Sequence, residues 1–300
     1  MSADLDGLVA AWGERGRPLT VPGASTRVWS AGELLGDAPV LCLHGVPTSA
    51  FLYRKVLDEL AGRGLHGIAV DLPGLGFADR PADFDYSWSG LAAWAHDCLD
   101  ALGHERVHLV VHDIGGPVGF DLIRRAPDRI ASLLVLNTIV SVERFRRPWV
   151  MAPFAIPVVG EAYLRATPRP AFVELMRRVG VATDVPRAEL AAHHALLRRG
   201  DGGRAFLAIM RSFERTAPFE RGIREALAAR RFPAAVAWGM RDRLLPAATH
   251  GADAVAALGL DRLHELHASH LVPEDAPGEV AELVADLVRE ASRATAVPVG

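Results

Sequence analysis

Lysine is nearly absent: Lys55 is the sole lysine among 33 basic side chains, and the rest are arginine. We read the arginine as compositional, because a formal net charge of −3 argues against nucleic acid or a strongly anionic surface as partner. Cysteine is almost as scarce. Cys42 and Cys98 stand far apart and form neither a metal-binding nor a redox spacing, so the expectation is a disulfide-free, cytoplasmic protein with no metal and no cofactor. No apolar stretch reaches the ~18 residues that a membrane span requires. Residues 1–16 carry acids at Asp4, Asp6 and Glu14 and lack the basic and apolar regions of a secretory signal. Internal repeats and low-complexity tracts are missing as well. What remains is 50% hydrophobic and 23% charged over 300 residues, which suits one large α/β domain with room for an insertion. The expected partners are a small apolar molecule and water, with neither nucleic acid nor membrane; the oligomeric state stays open.

The most informative stretch is Leu109-Val110-Val111-His112-Asp113-Ile114-Gly115-Gly116-Pro117-Val118-Gly119-Phe120. A β-branched apolar run stops at a carboxylate, two glycines follow, and a helix begins. This is a strand, a sharp elbow and a helix, with the elbow residue exposed at the C-terminal edge of a parallel sheet. Glycine after the elbow admits a close crossing of strand and helix backbones. The serine form of the elbow reads G-x-S-x-G; here Asp113 occupies the tip and Val111 replaces the first glycine. A serine hydroxyl must lose a proton before it attacks a carbonyl. An aspartate side chain ordinarily titrates near ~3.9 and is already ionised at neutral pH. It can attack a saturated carbon directly and form an ester, which a base-activated water must then cleave. A histidine and a second acid should therefore occur later in the chain.

Short strands are expected at 18–21 and 25–29, a fully apolar one at 38–43, as in a sheet covered on both faces, and further strands at 68–70, 107–112, 132–136, 234–238 and 262–266. Helices are expected at 50–62, with Thr48 or Ser49 as its cap, and at 89–102, 115–125, 249–258 and 277–293. Between 139 and 230 the alternation stops. Helical periodicity and prolines take over, with candidate helices at 169–179, 187–199, 203–213 and 220–230. The division that follows is a core of 1–138 and 231–300 and a helical cap of 139–230. Asp242 follows the strand 234–238, and His270 follows the strand 262–266. Nucleophile, acid and histidine thus occur in the chain order used with such an elbow, each at the end of a parallel strand, where ligands enter such sheets.

These residues resemble the α/β-hydrolase fold, a mostly parallel eight-stranded sheet with an inserted helical cap. Within it they resemble the aspartate-nucleophile branch of haloalkane dehalogenases and epoxide hydrolases. Leu41-Cys42-Leu43-His44-Gly45-Val46-Pro47-Thr48, Leu52-Tyr53-Arg54-Lys55, Val110-Val111-His112-Asp113 and Gly239-Met240-Arg241-Asp242-Arg243-Leu244-Leu245 look more like the dehalogenases. The resemblance implies an oxyanion hole made by the backbone N–H groups of Val46 and Ile114. It also implies His270 as the base for water and Asp242 as the group that orients its imidazole.

The chain departs from that pattern at the leaving group. The dehalogenase halide donors are a Trp after the nucleophile, here Ile114, and a cap Trp or an Asn in the His-Gly turn, here Val46. Trp149 is the one cap tryptophan that could donate; a hinge or core aromatic is the competing reading. Epoxide hydrolases use two cap tyrosines or a Tyr–His pair. Here Tyr163 is the single cap tyrosine, equally suited to packing, Met210 falls roughly where a second would stand, and His193 or His194 could substitute for it. Adjacent helical positions do not share a face, so at least one of these histidines is expected to face solvent. Asp113 could instead cap a helix, and Asp242 could be a surface turn acid; the shared context of strand ends favours catalysis. His44, Asp71 and His112 are expected to brace their turns. The stretch Arg144-Phe145-Arg146-Arg147 reads as a solvated face or a set of ion-pair partners. The expected activity is hydrolysis at a saturated carbon through an Asp113 ester, on haloalkanes first and epoxides as the alternative. A ligand-binding protein without turnover is a third reading, and the absence of serine at the elbow argues against an esterase.

Overall fold

A computed structural model of the chain describes residues 2–34, 36 and 38–296. Eight strands form a single sheet: β1 (Arg17–Leu19), β2 (Thr26–Ala31), β3 (Val40–Leu43), β4 (Gly67–Val70), β5 (Val107–Asp113), β6 (Ile130–Thr138), β7 (Ala234–Gly239) and β8 (His264–Leu266), in the spatial order β1-β2-β4-β3-β5-β6-β7-β8. The pairs β1/β2 and β2/β4 are antiparallel and every other pair is parallel. β3, β4 and β6 are buried along their whole length, which is why they read as unbroken apolar runs rather than alternating ones.

Helices α1 (Ser2–Arg15), α2 (Arg54–Gly62), α3 (Trp88–Leu102) and α4 (Gly115–Arg125) precede β6. Between β6 and β7 lie α5 (Val159–Ala166), α6 (Arg169–Leu175), α7 (Arg187–Leu197), α8 (Arg204–Arg211) and α9 (Ala217–Ala228), with no strand among the described residues of this insertion. α10 (Ala252–Ala257), α11 (Val272–Asp275) and α12 (Pro277–Ala296) complete the chain. No helix of the described residues is long and apolar enough to cross a membrane.

Several boundaries differ from the sequence expectation for identifiable reasons. α1 has no counterpart in the sequence reading, although Leu5, Leu8, Val9 and Trp12 are spaced as one apolar helical face; Trp12 stacks on Trp29 of β2 at 4.8 Å. β6 starts at Ile130 and runs on to Thr138, because β5 and β7 pair with it on both sides. The helix expected over 169–179 ends at Leu175 and continues as a π turn, Met176–Gly180. Ser49, not Thr48, caps the 3-10 turn that leads into α2, accepting from the Phe51 N–H.

One irregularity positions the site. The β5/β6 register slips between His112 and Asp113, so that Asp113 pairs with Thr138 and Asn137 is left over. Asn137 takes a φ of 22° and its side chain leaves the ladder at the C-terminal edge of the sheet. A bulge of this kind re-aims a side chain.

Candidate active site

Asp113 ends β5 with a φ of 53°, a strained conformation for a residue with a side chain. Surrounding structure holds the strain. The Thr138 hydroxyl donates to the Asp113 carbonyl, and the Val46 N–H donates to Oδ1 at 2.7 Å. The turn has no room for larger residues. A Cβ at Gly115 would stand 2.4 Å from the Leu43 carbonyl oxygen, and one at Gly45 would stand 2.2 Å from Asp113 Oδ1. Ile114 follows as the N-cap of α4, so its N–H stands at the positive end of a helix.

His270 lies on the loop between β8 and α11. Its Nε2 is 3.6 Å from Asp113 Oδ2, and its Nδ1 is 2.9 Å from Asp242 Oδ2. The three side chains expected from the sequence are thus brought together, His270 between the two carboxylates. Burial by itself would lower the His270 pKa, but Asp242 and Asp113 outweigh it and push the value up to about 10. Asp242 is buried, which would raise its pKa. The charge of His270 and the hydrogen bonds it accepts, from His270, Asn137 and the Leu245 N–H among others, hold it below its ordinary value.

Asn137 is a site residue that the sequence reading missed. Its Nδ2 donates to Asp242 Oδ2 at 2.7 Å, and its Oδ1 accepts from the Gly239 N–H at 2.9 Å. The available signal was its position as the first polar residue after the apolar run 133–136. Leu244 N–H and Leu245 N–H donate to Asp242 Oδ1, which completes that carboxylate. His112, His44 and Asp71 brace their surroundings as expected. His44 accepts from the Leu72 N–H, and Asp71 accepts from the Ala50 and Phe77 N–H groups. Burial lowers the pKa of both His44 and His112 to about 4.

The helical insertion anchors the His270 loop. Leu271 N–H donates to the Gly180 carbonyl at 2.7 Å, and the Ser269 hydroxyl donates to that of Val179. The Asp275 carboxylate accepts from Ser269 N–H and from the Ala182 and Thr183 N–H groups. These ties were not visible in sequence, because they join segments some ninety residues apart.

A cavity between the sheet edge and the insertion contains Asp113 and His270, with Val46 and Ile114 beside them. Phe145, Phe172, Phe206, Met210, Phe213 and Leu245 make much of its wall apolar; Arg147, Tyr163, Thr167 and His194 supply further polar groups. Tyr163 and His194, two of the candidate substrate-binding residues, thus line this cavity. His194 packs on Phe172 at 5.2 Å, its Nε2 is buried without a partner, and burial lowers its pKa.

Two expected substrate-binding residues lie elsewhere. Trp149 is 76% exposed and off the cavity wall, its neighbours Pro148 and Val150 being the ones that reach it. His193 is fully buried in an ionic cluster: its Nε2 is 2.9 Å from Glu274 Oε1, and Glu274 in turn meets Arg54 and Lys55. The two adjacent histidines do diverge, but toward cluster and cavity rather than toward bulk water. The arginine-rich stretch also divides. Arg144 and Arg146 are exposed, whereas Arg147 lines the cavity and, among the described residues, forms no ion pair. On the surface of α3, His96, Asp97 and Asp100 hold three ligand-type atoms within 4.8 Å of one another, as exposed acidic groups commonly do without an ion.

A sequence profile of the alpha/beta hydrolase fold matches residues 38–277. Over 113 residues the chain is 38% identical to an uncharacterised hydrolase of Saccharomyces cerevisiae, covering 37% of this chain and 38% of the yeast protein. Over 103 residues it is 40% identical to a haloalkane dehalogenase of Psychrobacter cryohalolentis, covering 34% of each. The matched part thus spans little more than a third of either curated relative. Among solved structures, a haloalkane dehalogenase of Bradyrhizobium elkani superposes with a TM-score of 0.74 at 24% identity, covering 91% of this chain and 98% of that one.

Proposed function

The chain belongs to the alpha/beta hydrolase fold family, and within it we propose a hydrolase that acts at a saturated carbon through an alkyl ester on Asp113, most like a haloalkane dehalogenase. The observation that carries this reading is His270 set between Asp113 and Asp242, 3.6 Å and 2.9 Å away, at the edge of a largely apolar cavity. The helical insertion serves as a cap that closes this cavity over the sheet edge.

In the first step an Asp113 carboxylate oxygen attacks the carbon that bears the leaving group. A C–O bond forms, the bond to the leaving group breaks, and the departing atom takes the electron pair. Forming the ester removes one of the two negative charges that keep His270 protonated. The imidazole then gives up its proton more readily and becomes the base for the second step. It takes a proton from water, and the hydroxide adds to the ester carbonyl. The N–H groups of Val46 and Ile114 receive the resulting oxyanion; the existing contact of Val46 N–H with Asp113 Oδ1 supports that role. Collapse releases the alcohol and restores the carboxylate. The net change converts water and an alkyl halide into an alcohol, a proton and a halide ion.

A second reading, an epoxide hydrolase giving a diol, is favoured by one observation. His194 presents an unpartnered Nε2 on a cavity wall that also carries Tyr163, a pair able to donate to an epoxide oxygen. Mass spectrometry of a His270→Gln variant incubated with haloalkanes and epoxides tests the shared chemistry. The expected result is an adduct on the peptide containing Asp113. An adduct on another residue overturns the assignment. Halide release from wild type supports the first reading, and diol formation the second.

A further inference from the structure

Arg147 is the least explained charge on the cavity wall. Its Nη2 donates to the Met210 carbonyl at 2.7 Å, and its guanidinium lies 4.6 Å from the ring centre of Phe213. Nε is buried without a partner, and among the described residues Nη1 has none either. Burial, helped by the like charge of Arg215, lowers its pKa to about 10, so it stays a cation at neutral pH. Asp113 and Asp242 both face His270, and no carboxylate of the described residues lies within ion-pair distance of Arg147. Arg147 is thus a half-buried cation with no counter-charge, which costs free energy, and it stands against an apolar cavity with a buried Nε unpartnered.

We propose that Arg147 binds a carboxylate and that the substrate is an amphiphilic acid, with its reacting carbon at Asp113, a hydrocarbon chain along the phenylalanines and a carboxylate at the guanidinium. This rests on the Asp113 reading for the orientation of the chain. The repulsion between Asp113 and a substrate carboxylate sets the same orientation, since it drives the anion to the Arg147 end. A planar fork of N–H donors suits a carboxylate better than it suits a monatomic halide. The contact makes Arg147 a specificity-determining residue that takes no part in the covalent steps.

Calorimetry with unreactive ligands tests the proposal without relying on turnover. Wild type should bind octanoate about 10- to 100-fold more tightly than octanamide, the range of a charge-assisted pair. Arg147→Gln should erase that preference, and Arg147→Lys should keep part of it. Equal binding of acid and amide by wild type, or a preference that survives in Arg147→Gln, overturns the proposal. Should the Gln variant fail to fold, the wild-type and Lys measurements decide. Turnover of ω-bromooctanoate and 1-bromooctane then separates the two levels of inference. A loss confined to the acid in Arg147→Gln supports the carboxylate site. An equal loss on both substrates assigns Arg147 to the leaving group or the fold and overturns it. Acid-selective binding with no adduct on Asp113 from either bromide leaves the carboxylate site standing and removes the Asp113 chemistry.

Discussion

His112 donates its Nε2–H to the carbonyl oxygen of His270 at 2.7 Å, so the residue beside the elbow aspartate braces the backbone of the histidine that faces that aspartate. Burial keeps His112 neutral well into the acid range, its pKa being lowered to about 4, and the bond defines the tautomer with the proton on Nε2. Replacing it with leucine leaves that carbonyl with the Val272 N–H as its one remaining donor among the described residues, a loss of about 0.5–1.5 kcal/mol. Because this loosens the base and not the cavity wall, His112→Leu should lower kcat roughly tenfold or more with a smaller change in KM. Steady-state kinetics on a substrate that wild type turns over checks this.

The raised pKa of His270 links stability to pH in one direction. Folding lifts it from the ordinary imidazole range, near ~6.5, to about 10. The stabilisation is therefore complete below about pH 6 and disappears as the pH rises through the folded value. Denaturant midpoints of wild type should fall between about pH 6 and pH 10 more steeply than those of His270→Gln. Asp113→Asn should bring the imidazole pKa down, as read by NMR, in the way that esterification does.

Asn137 holds Asp242 and the end of β7 together through its two amide atoms. Asn137→Ala removes a donor from a buried carboxylate and an acceptor from a buried N–H, which costs about 1–3 kcal/mol at each. Activity should fall by roughly ten- to a hundredfold while the chain still folds. Unchanged kcat in the folded variant would deny Asn137 its positioning role.

Glu274 joins α11 to Arg54 and Lys55 of α2 and to His193 of the insertion. Burial would raise its pKa, but His193 and Arg54 hold it well below the ordinary carboxylate range. Glu274→Gln removes the buried charge that faces Arg54 and Lys55, which keep Glu189 as their remaining partner, and should destabilise the protein by about 1–3 kcal/mol in urea unfolding. The part of the stability owed to this carboxylate should be retained at neutral pH and lost only on strong acidification.

Trp149 lies outside the cavity, exposed over most of its surface. Trp149→Ala should leave stability within about 0.5 kcal/mol of wild type and turnover essentially unchanged. A large loss of activity would restore it as a donor to the leaving group.

The parts of the site that were legible in sequence share one property: each lies at or just past the end of a parallel strand. Asp113 and Asp242 follow runs whose burial demands hydrophobic residues, so a polar residue at the run's end stands out; His270 follows the short, partly exposed β8, and parallel strands bring all three ends to one edge. The sheet was legible for the same reason. Asn137 carried the same signal, yet its role depends on a one-residue slip in register, which composition does not encode. Arg147 reads in sequence as one of four clustered residues, three of them arginine. Only packing separates it from Arg144 and Arg146.

The amino-acid sequence by itself determined the sheet, the elbow, and the kind and order of Asp113, Asp242 and His270, because those follow from local patterns of burial and from strand-end chemistry. The tertiary structure decided which side chains of the insertion reach the cavity. His193 and His194 are neighbours in sequence, and Trp149 stands two positions from Arg147, yet in each pair only one lines the wall. A helical segment with several apolar faces can be docked on a sheet in more than one way, and the choice is made by contacts between segments distant in the chain, such as His193 with Glu274 and Leu271 with Gly180.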